Sequence, residues 1–286
     1  MTRPLGSTVA VLGGGQMGSG IVHAFVMLGA SVTLVEPDSG TAARARQAIG
    51  ANIIRTCAKA GLTESPESFL ARLDLVADVG ALPDDLDLVV EAVPELVDLK
   101  AELLASIENV VADTTVLASN TSSLSITEIG SRLSQPGRFL GMHFFNPVPA
   151  SVLVEIVVGK DTGQEAVEAV RELVARLGKE AIVVRDSPGF ATSRLGLALG
   201  LEAMRMFEDG VASARDIDRA MVLGYRHPIG PLELTDLVGL DVRLAVAEHL
   251  QHELGNRFAP PQILREKVAT GKLGKKTGEG FHVWDS

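Results

Sequence analysis

Of 286 residues only one, Cys57, is a cysteine. No internal disulfide can form, and no cysteine-rich metal site can be built. This fits a reducing compartment, and a cytoplasmic location is expected. Positive charge is also short, with 26 Lys and Arg against 36 Asp and Glu and a formal charge of −10. That balance argues against nucleic acid or an anionic membrane as a main partner. An anionic substrate would need a local basic patch to receive it. Long apolar runs are missing too: Val9 to Leu12 runs straight into glycines, and no segment is long enough to cross a bilayer. A strand is expected within a few residues of Met1, so no basic leader with an apolar stretch and cleavage site is expected. No ligand cluster with metal spacing stands out, so no metal is expected. What is present is a globular mixture, 46% hydrophobic and 22% charged, rather than a disordered one.

Along the first half, short β-rich runs alternate with helical patterns. Strands are expected at 8–12, 31–35, 86–92, 116–119, 139–144, 152–158 and 181–184, with helices at 17–28, 42–60 and 96–107 between them. Continuous apolar strands separated by helices predict an α/β fold with a mostly parallel, Rossmann-type sheet covered on both faces. After residue 184 the pattern turns wholly helical. Asp186-Ser187-Pro188-Gly189 is a turn-forming cluster. The expected division is a cofactor-binding domain at 1–186 and a smaller all-helical domain at 187–286, the latter for dimerisation and for one side of a substrate cleft. Its apolar richness suits a homodimer.

Gly13-Gly14-Gly15-Gln16-Met17-Gly18 fits the G-x-G-x-x-G pattern. Alone the pattern is weak, but here it follows a strand and opens a helix. Gly13 permits the tight turn, Gly15 a close approach of backbone to pyrophosphate, and Gly18 close helix–strand packing. The helix N-terminus offers N–H groups to phosphate, with Gln16 and Met17 beginning that helix. Glu36 ends the second strand, where a carboxylate accepts from ribose hydroxyls and repels a 2′-phosphate. NAD is therefore expected rather than NADP.

Six histidines are present. His23 falls inside the first helix, His249 and His252 lie on a late polar helix, and His282 shows no partner in the sequence. His227 precedes a proline in a loop. His143 differs, because it lies at the end of a strand of the first domain, where an open α/β sheet places its ligands. Asn146 follows, with Pro147 and Pro149 fixing the turn. Glu155 stands among β-branched neighbours in Val152-Leu153-Val154-Glu155-Ile156-Val157, where a carboxylate is expensive to bury unpaired. A histidine base is the economical partner, oriented on one ring nitrogen and stabilised when charged.

Several motifs stand together along the chain: Ala118-Ser119-Asn120-Thr121-Ser122-Ser123-Leu124, Gly141-Met142-His143-Phe144-Phe145-Asn146-Pro147-Val148-Pro149, and Val90-Glu91-Ala92-Val93-Pro94-Glu95 with Lys100. Gly230-Pro231-Leu232-Glu233-Leu234-Thr235-Asp236-Leu237-Val238-Gly239-Leu240-Asp241 and Gly274-Lys275-Lys276-Thr277-Gly278-Glu279-Gly280-Phe281 follow in the second domain. Together they resemble the L-3-hydroxyacyl-CoA dehydrogenase family. The resemblance implies reversible NAD-dependent oxidation of an L-3-hydroxyacyl-CoA to a 3-ketoacyl-CoA, as in fatty-acid β-oxidation. It implies His143 as general base paired with Glu155, and Ser122 on the substrate oxygen and the cofactor. It also implies Asn146 near the nicotinamide ribose, and Glu95, Lys100 and Lys276 in contact with the cofactor.

One departure stands out. The family pattern Pro-Gly-Phe-x-x-Asn-Arg-Leu reads Pro188-Gly189-Phe190-Ala191-Thr192-Ser193-Arg194-Leu195 here, with Ser193 in the Asn position. Serine keeps one hydrogen bond but lacks the second donor and acceptor of an amide. This bears on substrate identity more than on reaction type, and leaves open a polar acyl chain such as 3-hydroxyadipyl. Arg44, Arg46, Arg55 and Lys59 share one helix, and Lys59 is the candidate for binding the phosphates of CoA. Two other readings stand beside this one: an L-gulonate 3-dehydrogenase acting on a free hydroxy acid, and an NAD-binding protein that has lost catalysis.

Overall fold

The computed structural model describes residues 4–284. By its contacts the chain forms two compact units, Met1–Asp186 and Ser187–Ser286. In the first, eight strands form one sheet: β1 (Thr8–Leu12), β2 (Ser31–Val35), β3 (Leu73–Val76), β4 (Leu88–Glu91), β5 (Val116–Ser119), β6 (Phe139–Phe144), β7 (Leu153–Val158) and β8 (Glu180–Arg185). Their order is β3-β2-β1-β4-β5-β6-β7-β8. Every neighbouring pair is parallel except β6 and β7. The expected α/β class, a mostly parallel sheet with helices, is what forms.

The central strands are buried along their whole length, since helices cover both faces. Helices α1 (Gln16–Leu28), α2 (Ser39–Ala60), α3 (Pro66–Leu70), α4 (Val97–Glu108), α5 (Ile126–Gly130) and α6 (Gln164–Arg176) complete the unit. Helix α1 stops at Gly29, whose φ of 94° suits a residue without Cβ. Asp38 caps α2 by accepting from the Thr41 N–H. The core joins Val9, Val11, Ile21, Phe25, Leu34, Ile49 and Ile53 with Leu140, Val154, Val170 and Leu173. Strand β3 was not expected from the sequence. It is four residues long, at the sheet edge, and its Leu-Asp-Leu-Val pattern is too short to declare a period.

The second unit is helical: α7 (Thr192–Glu208), α8 (Ala214–Tyr225), α9 (Pro231–Val238), α10 (Leu240–Leu254) and α11 (Gln262–Ala269). Leu197, Leu201, Met204, Ile217, Leu232, Leu240, Leu250, Leu264 and Phe281 form its core. Two buried aspartates organise it. Asp218 accepts from the Leu232 and Glu233 N–H groups at the start of α9, at 2.8 and 2.9 Å. Asp236 accepts from the N–H groups of Phe281 and His282 and from Trp284 Nε1, fastening the C-terminal segment. Gly280 is required there, because a Cβ would stand 2.0 Å from Asp236 Oδ1. His282, partnerless in the sequence, bonds Asp218 through Nε2 at 2.8 Å, so that expectation is corrected. Its partner lies 64 residues away and no local pattern points to it.

His23 is a core residue of α1, 3% exposed, with Nε2 bonded to Thr56 Oγ1 on α2 at 3.0 Å. Burial, with smaller contributions from the charges of Lys179 and Arg55, lowers its pKa to about 4, while the Asn52 backbone opposes the shift. The unfolded chain therefore takes a proton between pH 6.5 and 4 that the folded chain refuses. Stability falls as pH falls through that window, by up to ~3 kcal/mol from this group. His23→Gln keeps a partner for Thr56 and cannot titrate. Urea unfolding at pH 7 and pH 4.5 should show a smaller acid loss in the variant than in wild type; equal losses would refute the assignment.

Candidate active site

The chain leaves β1 toward β2 and β3, then returns to the other side of β1 as β4. Such a reversal opens a crevice at the carboxyl ends of the strands, where α/β proteins bind ligands. Here the crevice is a cavity of about 780 Å³, lined by Leu12, Gly13, Gly15, Gln16, Met17 and Glu36 on one side and by Ala92, Val93 and Pro94 on the other. Gly13 has φ 99°, and a Cβ on Gly18 would lie 1.9 Å from the Gly13 carbonyl oxygen, so both glycines are steric necessities. Nothing lies within 4 Å of a Cβ built on Gly15, which leaves the backbone open to a ligand. No side chain caps the N-terminus of α1. The arrangement suits a pyrophosphate.

Glu36 accepts from the Gly14 N–H at 2.8 Å and from the Asp38 N–H at 3.0 Å. This braces the glycine loop and holds a carboxylate on the cavity wall, where Asp78 is the second acid. No Arg or Lys lines this cavity among the described residues. The residues present therefore fit NAD and oppose a phosphate on its ribose.

At the same edge of the sheet, β6 and β7 set His143 directly opposite Glu155. His143 Nδ1 meets Glu155 Oε2 at 2.7 Å; the histidine is 6% exposed and the glutamate fully buried. The antiparallel register makes the two cross-strand neighbours, as the apolar setting of Glu155 required. The Phe145 ring lies 4.3 Å from the imidazole. The neighbouring loop is tied in by Asn120, whose Oδ1 accepts from the Phe144 N–H at 2.9 Å.

Between the glycine loop and His143 lies a second network, most of which the sequence reading missed. Glu91, the last residue of β4, is fully buried and accepts from Val93 N, Lys100 Nζ and Ser119 Oγ at 2.6, 2.7 and 2.6 Å. Lys100 also donates to the Val93 carbonyl and pairs with Glu95 at 3.3 Å. Glu95 in turn accepts from Thr121 Oγ1 at 2.5 Å and the Ser122 N–H at 3.0 Å. The Ser122 hydroxyl leans on the same oxygen at 3.4 Å. Burial pushes the Glu95 carboxyl up, but the Lys100 charge and the bonds from Thr121 and Ser122 outweigh it and hold it below the ordinary range. Lys100 is thus enclosed beneath Glu95. The argument that singled out Glu155, an acid among apolar strand residues, applies equally to Glu91 at the end of Leu88-Val89-Val90-Glu91.

Beside the cofactor cavity, and sharing Gln16 with it, runs a groove of about 710 Å³ lined by Asn52, Arg55, Thr56, Lys59 and Asn146. Arg55 and Lys59 therefore face a groove next to the crevice, while Arg44 turns to Thr41. In the helical unit, Ser193 sits half-buried in the first turn of α7. Lys276 donates to both carboxylate oxygens of Asp241 at 2.6 Å. Burial pushes Asp241 up, but the hydrogen bonds and charge of Lys276 outweigh it and hold the carboxyl low. His249 and His252 lie on α10.

Comparison with known proteins agrees with this geometry. The family described as 3-hydroxyacyl-CoA dehydrogenase, NAD binding domain, matches residues 8–187, and its C-terminal domain matches residues 189–284. The chain belongs to the 3-hydroxyacyl-CoA dehydrogenase family. It is an NAD-dependent oxidoreductase of that family. It is 38% identical to a probable 3-hydroxybutyryl-CoA dehydrogenase of Deinococcus radiodurans, over 96% of this chain and 99% of the relative. It is 40% identical to the mitochondrial hydroxyacyl-coenzyme A dehydrogenase of Rattus norvegicus, over 96% and 90% of the two chains. The crystal structure of (S)-3-hydroxybutyryl-CoA dehydrogenase from Ralstonia eutropha superimposes with a TM-score of 0.92 at 39% identity, covering 98% of this chain and 99% of that one. Among the described residues no helix is long and apolar enough to cross a membrane.

The acidic cavity wall predicts cofactor choice in this dehydrogenase. NAD should bind about 10²-fold more tightly than NADP, the scale of a like-charge contact in a partly buried site, with Glu36→Ala narrowing the gap at least about tenfold. Titration of protein fluorescence with each nucleotide measures both; equal affinities in wild type would refute the role of Glu36.

Proposed function

We propose that the protein oxidises L-3-hydroxyacyl-CoA to 3-ketoacyl-CoA, reversibly, with His143 as general base. The observation that carries this reading is the buried His143–Glu155 pair at the carboxyl edge of the sheet, beside the cofactor crevice. A carboxylate on Nδ1 assigns the proton to that nitrogen and leaves Nε2 as the acceptor. Nε2 takes the proton of the C3 hydroxyl as the C3–H bond breaks with its electron pair, and C3 becomes the ketone carbon. NAD, when bound, supplies the hydride acceptor. Glu155 holds the ring in orientation and offsets its positive charge once the proton has moved. Ser122 holds the reacting oxygen in line, and its own placement comes from Glu95.

The remaining roles follow the family motifs. Gly13, Gly15, Gln16, Met17 and Gly18 cradle the pyrophosphate, Glu36 takes the adenosine ribose, and Asn146 lies near the nicotinamide ribose. Lys100 stands behind Glu95, and the family motifs assign Lys276 to the cofactor and Ser193 to the substrate. Arg55 and Lys59 receive the phosphates of CoA. A basic groove adjoining the cofactor cavity suits a phosphorylated thioester better than a free polyol acid. Exposed Leu195, Leu223, Tyr225 and Val242 on the helical unit support a homodimer, and the single cysteine supports a cytoplasmic setting in β-oxidation.

NADH formation from L-3-hydroxybutyryl-CoA, measured beside L-gulonate, tests the reading. The thioester should turn over, and His143→Ala should lower kcat roughly 10²–10⁴-fold while NAD binding persists. Turnover of L-gulonate alone would overturn it, as would full activity in the variant.

A further inference from the structure

Lys179 stands just before β8, and β8 pairs with β7 from Leu153 onward, beside the register pairs Phe144–Val154 and His143–Glu155. The amino end of β8 therefore lies at the carboxyl edge of β6, the edge that carries His143. Lys179 is half-buried, and the loss of water holds its ammonium below the ordinary lysine range. No carboxylate among the described residues pairs with it. A charge drawn out of water without a counter-ion is costly unless other acceptors replace the water.

Here the acceptors are two backbone carbonyls. Lys179 Nζ donates to the Val148 carbonyl at 2.8 Å and to the Ser151 carbonyl at 2.5 Å. Both belong to the loop that joins β6 to β7. Pro147 and Pro149 have no N–H to give, and the Ala150 and Ser151 N–H groups turn inward to the Pro147 carbonyl, each at 2.9 Å. Among the described residues Lys179 is the only side chain from outside this loop that hydrogen-bonds residues 146–151. Packing holds the loop from the other side: Val148 is 2% exposed, and a Cβ on Gly20 of α1 would stand 2.9 Å from it. The Lys179 charge reaches the same helix, where it helps to lower the pKa of His23.

Pro147, Val148 and Pro149 line the groove that Arg55 and Lys59 of α2 also line. We propose that Lys179 is a positioning residue for the CoA portion of the substrate, holding this loop against α1 so that one wall of the groove is set before the thioester arrives. The inference rests on the oxidation proposed above and on the groove receiving CoA. A loop with two prolines and an internal turn is stiff, so two charge-assisted bonds from outside fix its place. Without them, part of the binding energy goes into ordering the wall.

The test compares kcat/KM for L-3-hydroxybutyryl-CoA with that for the L-3-hydroxybutyryl thioester of N-acetylcysteamine, which keeps the reacting centre but has neither nucleotide nor phosphates. Lys179→Met should lower the ratio of the two about tenfold, the scale of one lost hydrogen bond to a charged group. The change should fall on KM of the CoA thioester more than on kcat. Lys179→Arg, which keeps the charge and a fork of donors for both carbonyls, should restore most of the ratio. In Lys179→Met the Ala150 and Ser151 amides should exchange with deuterium faster than in wild type. If Lys179→Met does not fold, Lys179→Gln, neutral and shorter, carries the same measurements. Equal losses on both thioesters overturn the proposal, since they report a general effect on the reacting centre. So does a lower ratio with unchanged exchange, which would mean that the ammonium meets the phosphates directly. A wild type that oxidises neither thioester fails the proposed function itself. One that oxidises both equally well through His143 fails only the groove and the role of Lys179.

Discussion

A carboxylate inside an apolar strand has to be paired, and at Glu155 that need fixes the register of β6 against β7 and, with it, the place of His143. Among the described strands these two are the only antiparallel neighbours in the sheet. Their reversal sets a residue near the end of β6 opposite one near the start of β7, so both side chains arrive at the edge where the glycine loop and Glu36 already stand. A slip of one residue would send Glu155 to the other face and leave two buried polar groups unpaired. The register and the orientation of the His143 ring therefore depend on one contact of 2.7 Å.

The same device recurs through the molecule. Glu91 gathers the ends of β4 and β5, the start of α4 and, through Lys100 and Glu95, the loop that carries Ser122. Asp218 and Asp236 do the equivalent in the helical unit, fixing the start of α9 and the C-terminal segment. Each acid is buried and each is surrounded by donors, so desolvation is offset locally and loops inherit the rigidity of the strands and helices behind them. Arg243 departs from this pattern: among the described residues no carboxylate or carbonyl meets its guanidinium.

Much of this was legible in the sequence for a physical reason. The strands of the parallel sheet are continuous apolar runs, the glycine loop needs Gly at fixed offsets, and Glu155 is conspicuous among valines. Strand β3 was not legible, because four edge residues carry too little periodicity. Glu91 was legible in principle, by the reasoning used for Glu155, but its partners Lys100 and Ser119 come from different elements. The bond between His282 and Asp218 joins residues 64 positions apart in the chain. Pairings of this kind exist only once the chain has folded.

The central claim is that His143 and Glu155 act as one unit, and a double-mutant cycle on thioester oxidation tests it most directly. kcat would be measured for wild type, His143→Ala, Glu155→Gln and the double variant. If the carboxylate works through the imidazole, the double variant loses no more than His143→Ala alone, because removing the base leaves Glu155 nothing to orient. Losses that multiply would show two independent contributions and contradict the account.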